Sequence, residues 1–289
     1  MTIPKHKMAQ LDFIDFDRYL LSQNSRIIHQ VWFGSIPNKR SAKKAYNKLK
    51  IYRDSWKIKN PTWFHVEWNK NMCIDLVKTF YPEHTDLFKN YPYEIQRCDT
   101  IRYLILHRYG GWYVDMDYYC CRPLDEVPKE YPNDIYLVQS PNGVSGQDSD
   151  HISNSLMFSV KDHPFWKQVM LDMEKGQKVP YFYTKHLAVM FTTGPGILNR
   201  IYSKYKLRYK VKSLPWKLFH PYGIKDEKMT LNSNPEIFAI HVGKGSWENG
   251  DSKVFLFFFR EWQIVLFIFL VLLVPLLCRF FVRSTSNSS

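Results

Sequence analysis

Apolar and polar positions alternate between two periods along this chain. The run RIIHQVWFG (26–34) is apolar enough for a buried strand ending at a glycine turn. NPTWFHVEWN (60–69) reads as a second strand. Between them, SAKKAYNKLKIYRDSW (41–56) has the spacing of a basic surface helix. Further on, Ile101, Leu104 and Ile105 recur at helical intervals, which predicts a helix from Tyr93 to about His107 with one buried stripe. Asp99 and Arg102, three apart, share a different face of it. Gly110-Gly111 stop that helix. WYVDMD then alternates as a strand, with Trp112, Val114 and Met116 on one side and Tyr113, Asp115 and Asp117 on the other. Strands interleaved with helices predict an α/β sheet.

The two ends break this pattern. Residues 1–25 contain no long apolar run, since Asp12, Asp15, Asp17 and Arg18 interrupt it. They read as a lead-in with a short amphipathic helix, not as a signal peptide. From Ile264 to Cys278 every residue but Pro275 is apolar. With its flanks the stretch reaches roughly 21 residues, the length that spans a bilayer. We expect a transmembrane helix over 262–282, an interfacial linker over 251–261 and a polar tail over 283–289. A buried terminal helix is disfavoured because core helices rarely stay apolar on every face. Arg260 and Trp262 flank one border, and Arg279 and Arg283 the other, as interface anchors do. With cations on both sides, the orientation stays open. A lone C-terminal span with no other insertion signal would leave residues 26–250 in the cytosol.

Composition adds two constraints. The formal net charge is +13, from 40 Lys+Arg against 27 Asp+Glu. That balance suits an anionic partner, and nothing beyond the charge favours nucleic acid. The five cysteines form no CxxC pair and no zinc spacing, so they read as free thiols or core packing.

Asp115 and Asp117 raise the chemical question. On an ideal strand they would stand roughly 7 Å apart on one face. Two carboxylates among apolar neighbours repel and are costly to desolvate. An arginine such as Arg97 or Arg102 would offset them. So would a divalent cation, for which all-oxygen ligation suits Mg²⁺ or Mn²⁺. Spacing alone leaves both readings open.

The wider string is more specific. Arg97, Asp99, Arg102, Tyr103, Leu106, Gly110, Gly111, Tyr113, Asp115 and Asp117 form R-x-D-x-x-R-Y-x-x-L-x-x-x-G-G-x-Y-x-D-x-D. This resembles the signature of the DXD sugar-transferase family. Its members include inositol phosphoceramide mannosyltransferases, initiating α-1,6-mannosyltransferases and, more distantly, clostridial glucosylating toxins. Other stretches match in the same order: IIHQVWFG, ISNSLMFSVKDHPFW (152–166), MFTTGPGIL (190–198) and HVGKGSW (241–247).

The resemblance covers about residues 26 to 250 and implies a GT-A-like, Rossmann-like nucleotide-sugar-binding domain with a mostly parallel sheet. It implies a retaining transferase that takes its sugar from a nucleotide diphosphate donor. Asp115, Asp117 and His241 would hold Mn²⁺ or Mg²⁺. Trp32 would stack on the base. Asp99, Arg102 and Asn154 would bind the sugar. Arg97, Tyr113, Ser246 and Trp247 would contact the donor, and Lys244 its phosphates. The Thr-Gly-Pro element points to the inositol phosphoceramide branch, hence to GDP-mannose and a sphingolipid acceptor on a Golgi- or ER-type membrane.

The link from Trp247 to Trp262 reaches only about 50 Å when fully extended, which keeps the closing loop near the bilayer. Glycoprotein or polysaccharide acceptors are the alternative, as is a binding protein that has lost catalysis. A phosphohydrolase using Asp-x-Asp is disfavoured, because Tyr119 stands where that class wants Thr or Val.

Overall fold

The computed structural model describes residues 12–34, 38–141, 151–176, 183–221 and 235–242. The helices are α1 (Phe13–Leu21), α2 (Lys39–Lys48), α3 (Lys50–Lys59), α4 (Lys70–Phe80), α5 (Thr85–Asn90), α6 (Glu94–Tyr109), α7 (Val127–Glu130), α8 (Phe165–Lys175), α9 (Lys185–Thr192), α10 (Pro195–Tyr205) and α11 (Trp216–Phe219). The strands are β1 (Ile27–Val31), β2 (Phe64–Trp68), β3 (Gly111–Val114), β4 (Tyr118–Cys120), β5 (Ile135–Gln139), β6 (Ile152–Ser159), β7 (Lys212–Leu214) and β8 (Ala239–His241).

Six strands form one sheet in the order β2-β1-β3-β6-β5-β7, and β4 pairs with β8 in a second. β1 pairs in parallel with both β2 and β3, and β5 with β7. Within the six-stranded sheet, among the described residues, only β6 runs against its neighbours, and β4 and β8 pair antiparallel in the second sheet. The α/β expectation holds, as a mixed sheet rich in parallel pairs.

Period-two alternation splits the core into two layers. Ile27, Val31, Tyr113, Leu137 and Met157 face one side, against Ile101, Leu104 and Ile105 of α6 and Trp166 of α8. Ile28, Trp112, Val114, Tyr136 and Leu156 face the other, against Trp56 of α3 and Phe219 and Phe238. Covering both faces is what parallel strands require.

Two departures from the sequence pattern shape the site. The predicted basic helix is two helices, broken at Leu49, whose N–H bonds back to Tyr46 O at 3.1 Å. The break lets Leu49 and Tyr52 bury against Met116. The other departure is the length of β3, which stops at Val114.

The double glycine works as the pattern suggests. Gly110 and Gly111 take φ of 65° and 89°, in the left-handed region. A Cβ on Gly111 would lie 2.4 Å from Ile27 O. Only glycine lets α6 turn directly into β3 beside β1. Beneath the turn, His29 Nε2–H donates to Gly110 O at 2.9 Å, and His29 Nδ1 accepts from Trp68 Nε1 at 3.1 Å. Burial pushes His29 down to about 3, so it is neutral.

No helix among the described residues is long and apolar enough to cross a membrane. The expected span at 262–282 lies outside the described residues.

Candidate active site

β1 and β3 end side by side, and ligand sites of α/β sheets gather beyond such carboxyl ends. β1 delivers Trp32 and β3 delivers Asp115. The expected strand through Asp117 is instead a turn. Tyr118 N–H donates to Asp115 O at 3.2 Å, and Asp115 N–H to Ser155 O at 2.8 Å. The physical reason is the pair of charges: a flat strand would carry both carboxylates against packed neighbours, whereas the turn leaves each partly exposed. Met116 swings inward to Leu49 and Tyr52.

The turn also brings in a distant histidine. β4 pairs with β8 so that Tyr118 lies opposite His241. The two rings stack at 4.4 Å and 8°. Val242 N–H donates to Asp117 O at 3.0 Å and fixes the register. His241 Nε2 stands 3.2 Å from Asp117 Oδ1, and His241 Nδ1 stands 2.8 Å from His220 Nε2. Burial lowers the pKa of His241, but the hydrogen bond and charge of Asp117 outweigh it and hold it above the usual 6.5. His220 is pushed down to about 3 by burial first and by His241 second.

Asp115, Asp117 and His241 offer three ligand atoms that all lie within 4.8 Å of one another. Octahedral bonds of about 2.1 Å place adjacent donors roughly 3 Å and opposite donors roughly 4.2 Å apart. A spread of up to 4.8 Å is slightly wider than one small cation sets, so the three side chains would draw in by a few tenths of an ångström to share it. Two carboxylates with an imidazole suit Mn²⁺ or Mg²⁺.

Behind this triad lies a buried polar network. Arg102 Nη2 is 3.0 Å from Asp99 Oδ1, Arg102 Nη1 is 3.5 Å from Asp115 Oδ1, and Nη1 donates to Asn154 O at 2.7 Å. Sequence spacing alone reads Asp99 and Arg102 as a surface ion pair, yet each side chain is only 5% exposed. Asn154 Nδ2 donates to Asp99 Oδ1 at 3.0 Å, and Thr193 Oγ1 donates to Asp99 Oδ2 at 3.2 Å. Tyr103 accepts from Asn154 Nδ2 at 3.1 Å.

Burial pushes Asp99 up to about 6, with Arg102 opposing the shift and Asp115 adding to it. Burial likewise raises Asp115, opposed by Arg102 and reinforced by Asp117. For Arg102 burial works against the charge, but the surrounding anions prevail and hold its pKa well above the usual value.

The remaining candidates divide. Tyr113 is 1% exposed, donates its hydroxyl to Asp115 Oδ1 at 2.7 Å and lies under the Arg102 guanidinium. It supports Asp115 and presents almost no surface to a donor. Trp32 is half-buried with its ring 6.0 Å from that of Tyr46, in the cluster that holds Met116. Arg97 is turned away: its Nη2 donates to Lys89 O at 2.7 Å and Tyr91 O at 2.6 Å. Arg102 takes the place at Asp115 that either arginine would have filled. Lys244, Ser246 and Trp247 lie outside the described residues.

Tyr103, Ser155, Thr193 and His220 join the site although the sequence assigned them no role. Tyr103, Ser155 and Thr193 had a signal, since all three sit in matching strings. His220 had none, because only the fold brings it to His241. Of the Cys120-Cys121 doublet, Cys120 ends β4 and Cys121 follows it. Cys120 is buried, with Sγ near Asn60 Nδ2 at 3.5 Å, and Cys121 is half-buried.

Residues 47–134 match the family described as "Glycosyltransferase sugar-binding region containing DXD motif". "Inositol phosphoceramide mannosyltransferase 3" of Schizosaccharomyces pombe is 30% identical over 245 residues, 84% of this chain and 61% of the relative. "Mannosyl phosphorylinositol ceramide synthase SUR1" of Saccharomyces cerevisiae is 32% identical over 196 residues, 68% of this chain and 46% of the relative. "Initiation-specific alpha-1,6-mannosyltransferase" of Candida albicans is 36% identical over 102 residues, 34% of this chain and 26% of the relative. The chain thus spans less than two thirds of the length of these curated relatives. Asp99, Arg102, Asp115 and Asp117 all lie inside the region that matches this DXD sugar-binding family.

Proposed function

We propose that this chain is a metal-dependent, retaining glycosyltransferase with a GT-A-like site. It moves mannose from GDP-mannose to the headgroup of an inositol phosphoceramide-type sphingolipid at an endomembrane of Golgi or ER type. The observation that carries this reading is the Asp115–Asp117–His241 cluster at the end of β3, its ligand atoms within 4.8 Å. Relatives named as inositol phosphoceramide mannosyltransferases support the sugar and the acceptor.

Asp115, Asp117 and His241 hold Mn²⁺ or Mg²⁺. When bound, the cation supplies Lewis-acid neutralisation of the charge that develops on the leaving diphosphate. The chain's own groups do the rest. Arg102 offsets the charge of Asp115 and keeps it available as a ligand. Asn154 and Thr193 fix Asp99. The second lone pair of Asp99 Oδ2 is left for a sugar hydroxyl. Trp32 offers its half-buried ring to the base. Ser246 and Trp247 would contact the diphosphate, and the apolar stretch 262–282 would tether the chain to the membrane that contains the acceptor.

The test is sugar release from a panel of nucleotide sugars by the full chain in detergent, with Mn²⁺, with EDTA and for Asp117→Ala. Turnover of GDP-mannose that needs both the metal and Asp117 is expected, and the anomeric configuration of the product should match the donor. Metal-independent turnover would overturn the metal role. Absence of turnover with every donor, even with inositol phosphoceramide present, would leave a binding protein.

A further inference from the structure

The outward faces of α2 and α3 carry a feature that the transfer site does not use. No Asp or Glu occurs between Arg18 and Arg53. Within that stretch Arg40, Lys43, Lys44 and Lys48 recur at helical spacing, so one face of α2 carries all four. They are exposed and line one shallow groove. None of the four makes a salt bridge among the described residues, whereas Lys50, Arg53 and Lys57 nearby are each paired to Asp54 or Glu67. The groove continues onto α3, where Lys48, Ile51, Ile58 and Tyr119 line its next section together with Asp54, whose charge Lys50 offsets. Ile51 is 54% exposed and Ile58 is 73% exposed, seven residues apart on one face.

Unpaired cations beside exposed aliphatic side chains are what an anionic lipid–water interface selects. The cations meet headgroups and the apolar groups enter the boundary region. A nucleic acid would answer the charge but not the isoleucines. A plain solvated helix would answer neither the isoleucines nor the absence of acids from α2. The position matters too. Leu49 and Tyr52, at the inner side of this ridge, pack on Met116 in the turn between Asp115 and Asp117.

We propose that the α2–α3 ridge is the surface on which the catalytic domain rests against an anionic bilayer, with Arg40, Lys43, Lys44 and Lys48 on the headgroups and Ile51 and Ile58 inserted. This deepens the lipid-acceptor reading: a rigid seat beside the metal turn holds the site mouth at headgroup level, which a tether at 262–282 alone would not do. The occupant is the leaflet itself, recognised by its negative charge and apolar boundary.

The experiment is acetylation footprinting of the full chain in nanodiscs, read by mass spectrometry. Discs of phosphatidylcholine alone are compared with discs containing phosphatidylinositol. Labelling of Lys43, Lys44 and Lys48 should slow about fivefold or more on the anionic discs and recover in high salt, with Lys129 and Lys204 unchanged. Equal rates on both discs, or equal slowing at the reference lysines, would overturn the proposal. The readout does not depend on turnover, so it stays separate from the failure of the transferase reading. The charge reversal Arg40→Glu/Lys43→Glu/Lys44→Glu should abolish any stimulation of lipid glycosylation by phosphatidylinositol while leaving metal-dependent donor hydrolysis intact. Stimulation that survives the reversal would also sink the idea.

Discussion

Arg102 Nη1 lies 3.5 Å from Asp115 Oδ1, while the other terminal nitrogen of the same guanidinium lies 3.0 Å from Asp99 Oδ1. One cation therefore serves two carboxylates that burial would otherwise neutralise. It ties the network of Asp99 and Asn154 to the triad of Asp115, Asp117 and His241. Arginine suits this task because its fork reaches several acceptors at once and stays charged when buried.

Removing that hub should be costly. Arg102→Ala leaves Asp99 and Asp115 without their cation, and breaking a buried pair in this way costs about 3–5 kcal/mol. We expect a large fall in the urea midpoint. Arg102→Lys should recover only part of it, since one ammonium cannot span Asp99, Asp115 and Asn154 O together. Equal stability of Arg102→Ala and wild type would show that the carboxylates protonate at no cost.

Gly111→Ala tests the way β3 is launched. The new Cβ would meet Ile27 O at 2.4 Å with φ at 89°. The obstacle is backbone on both sides, so no side chain can yield. We expect insoluble expression or a stability loss of about 3 kcal/mol or more, from strain and the displacement of β3 from β1. A soluble protein with an unchanged thermal midpoint would contradict this account.

Much of this was legible in the sequence because it is local. The helix ahead of the double glycine, the alternation of Trp112, Tyr113 and Val114, and the first two strands follow from spacing within a few residues. What stayed hidden depends on long-range pairing. The turn at Asp115 to Tyr118 forms where β4 leaves for β8, and no periodicity announces that partner. The choice between Arg97 and Arg102 rests on which side of α6 meets β6. Burial of the Asp99–Arg102 pair depends on α9 and α10 closing over it with Thr193. His220 reaches His241 only because Phe219 stacks on Phe238 at 5.1 Å beside β8.

His220 should orient His241. A carboxylate only accepts, so His241 Nε2 carries the proton it gives to Asp117 in the metal-free protein. To ligate a cation at Nε2, His241 must carry its proton on Nδ1, and His220 Nε2, 2.8 Å away, is placed to accept it. His220→Phe keeps an aromatic ring but no acceptor, and it should weaken Mn²⁺ binding about 10–100-fold by electron paramagnetic resonance titration. His220→Gln supplies a carbonyl and should restore much of the affinity. Identical affinities for all three proteins would remove His220 from the site.

The titrating groups also set opposite pH trends with and without metal. Folding holds His241 above 6.5 and Asp99 at about 6, against a usual 3.8, and it raises Asp115. Each group therefore binds its proton more tightly in the folded state than in the unfolded one. For His241, the stabilisation is complete below 6.5 and is lost as pH rises through its folded value. For Asp99 and Asp115, the raised pKa means that ionising the folded protein costs stability, and that loss runs from about pH 4 upward. Hence the share of metal-free stability that His241 and Asp99 supply should fall between pH 6 and pH 8. His29 and His220 set a rise against it, because their lowered pKa values leave the unfolded state holding the extra protons. The His241 share is read in EDTA as the difference in thermal midpoint between wild type and His241→Gln. Divalent cations need the deprotonated ligands, so Mn²⁺ affinity should climb over the same interval, and the midpoint with saturating Mn²⁺ should fall less or rise. His241→Gln should flatten the affinity profile while lowering its level. If the midpoint of wild type relative to His241→Gln does not fall between pH 6 and pH 8, His241 is not held charged by Asp117. The pair would then have to be redrawn as a neutral hydrogen bond.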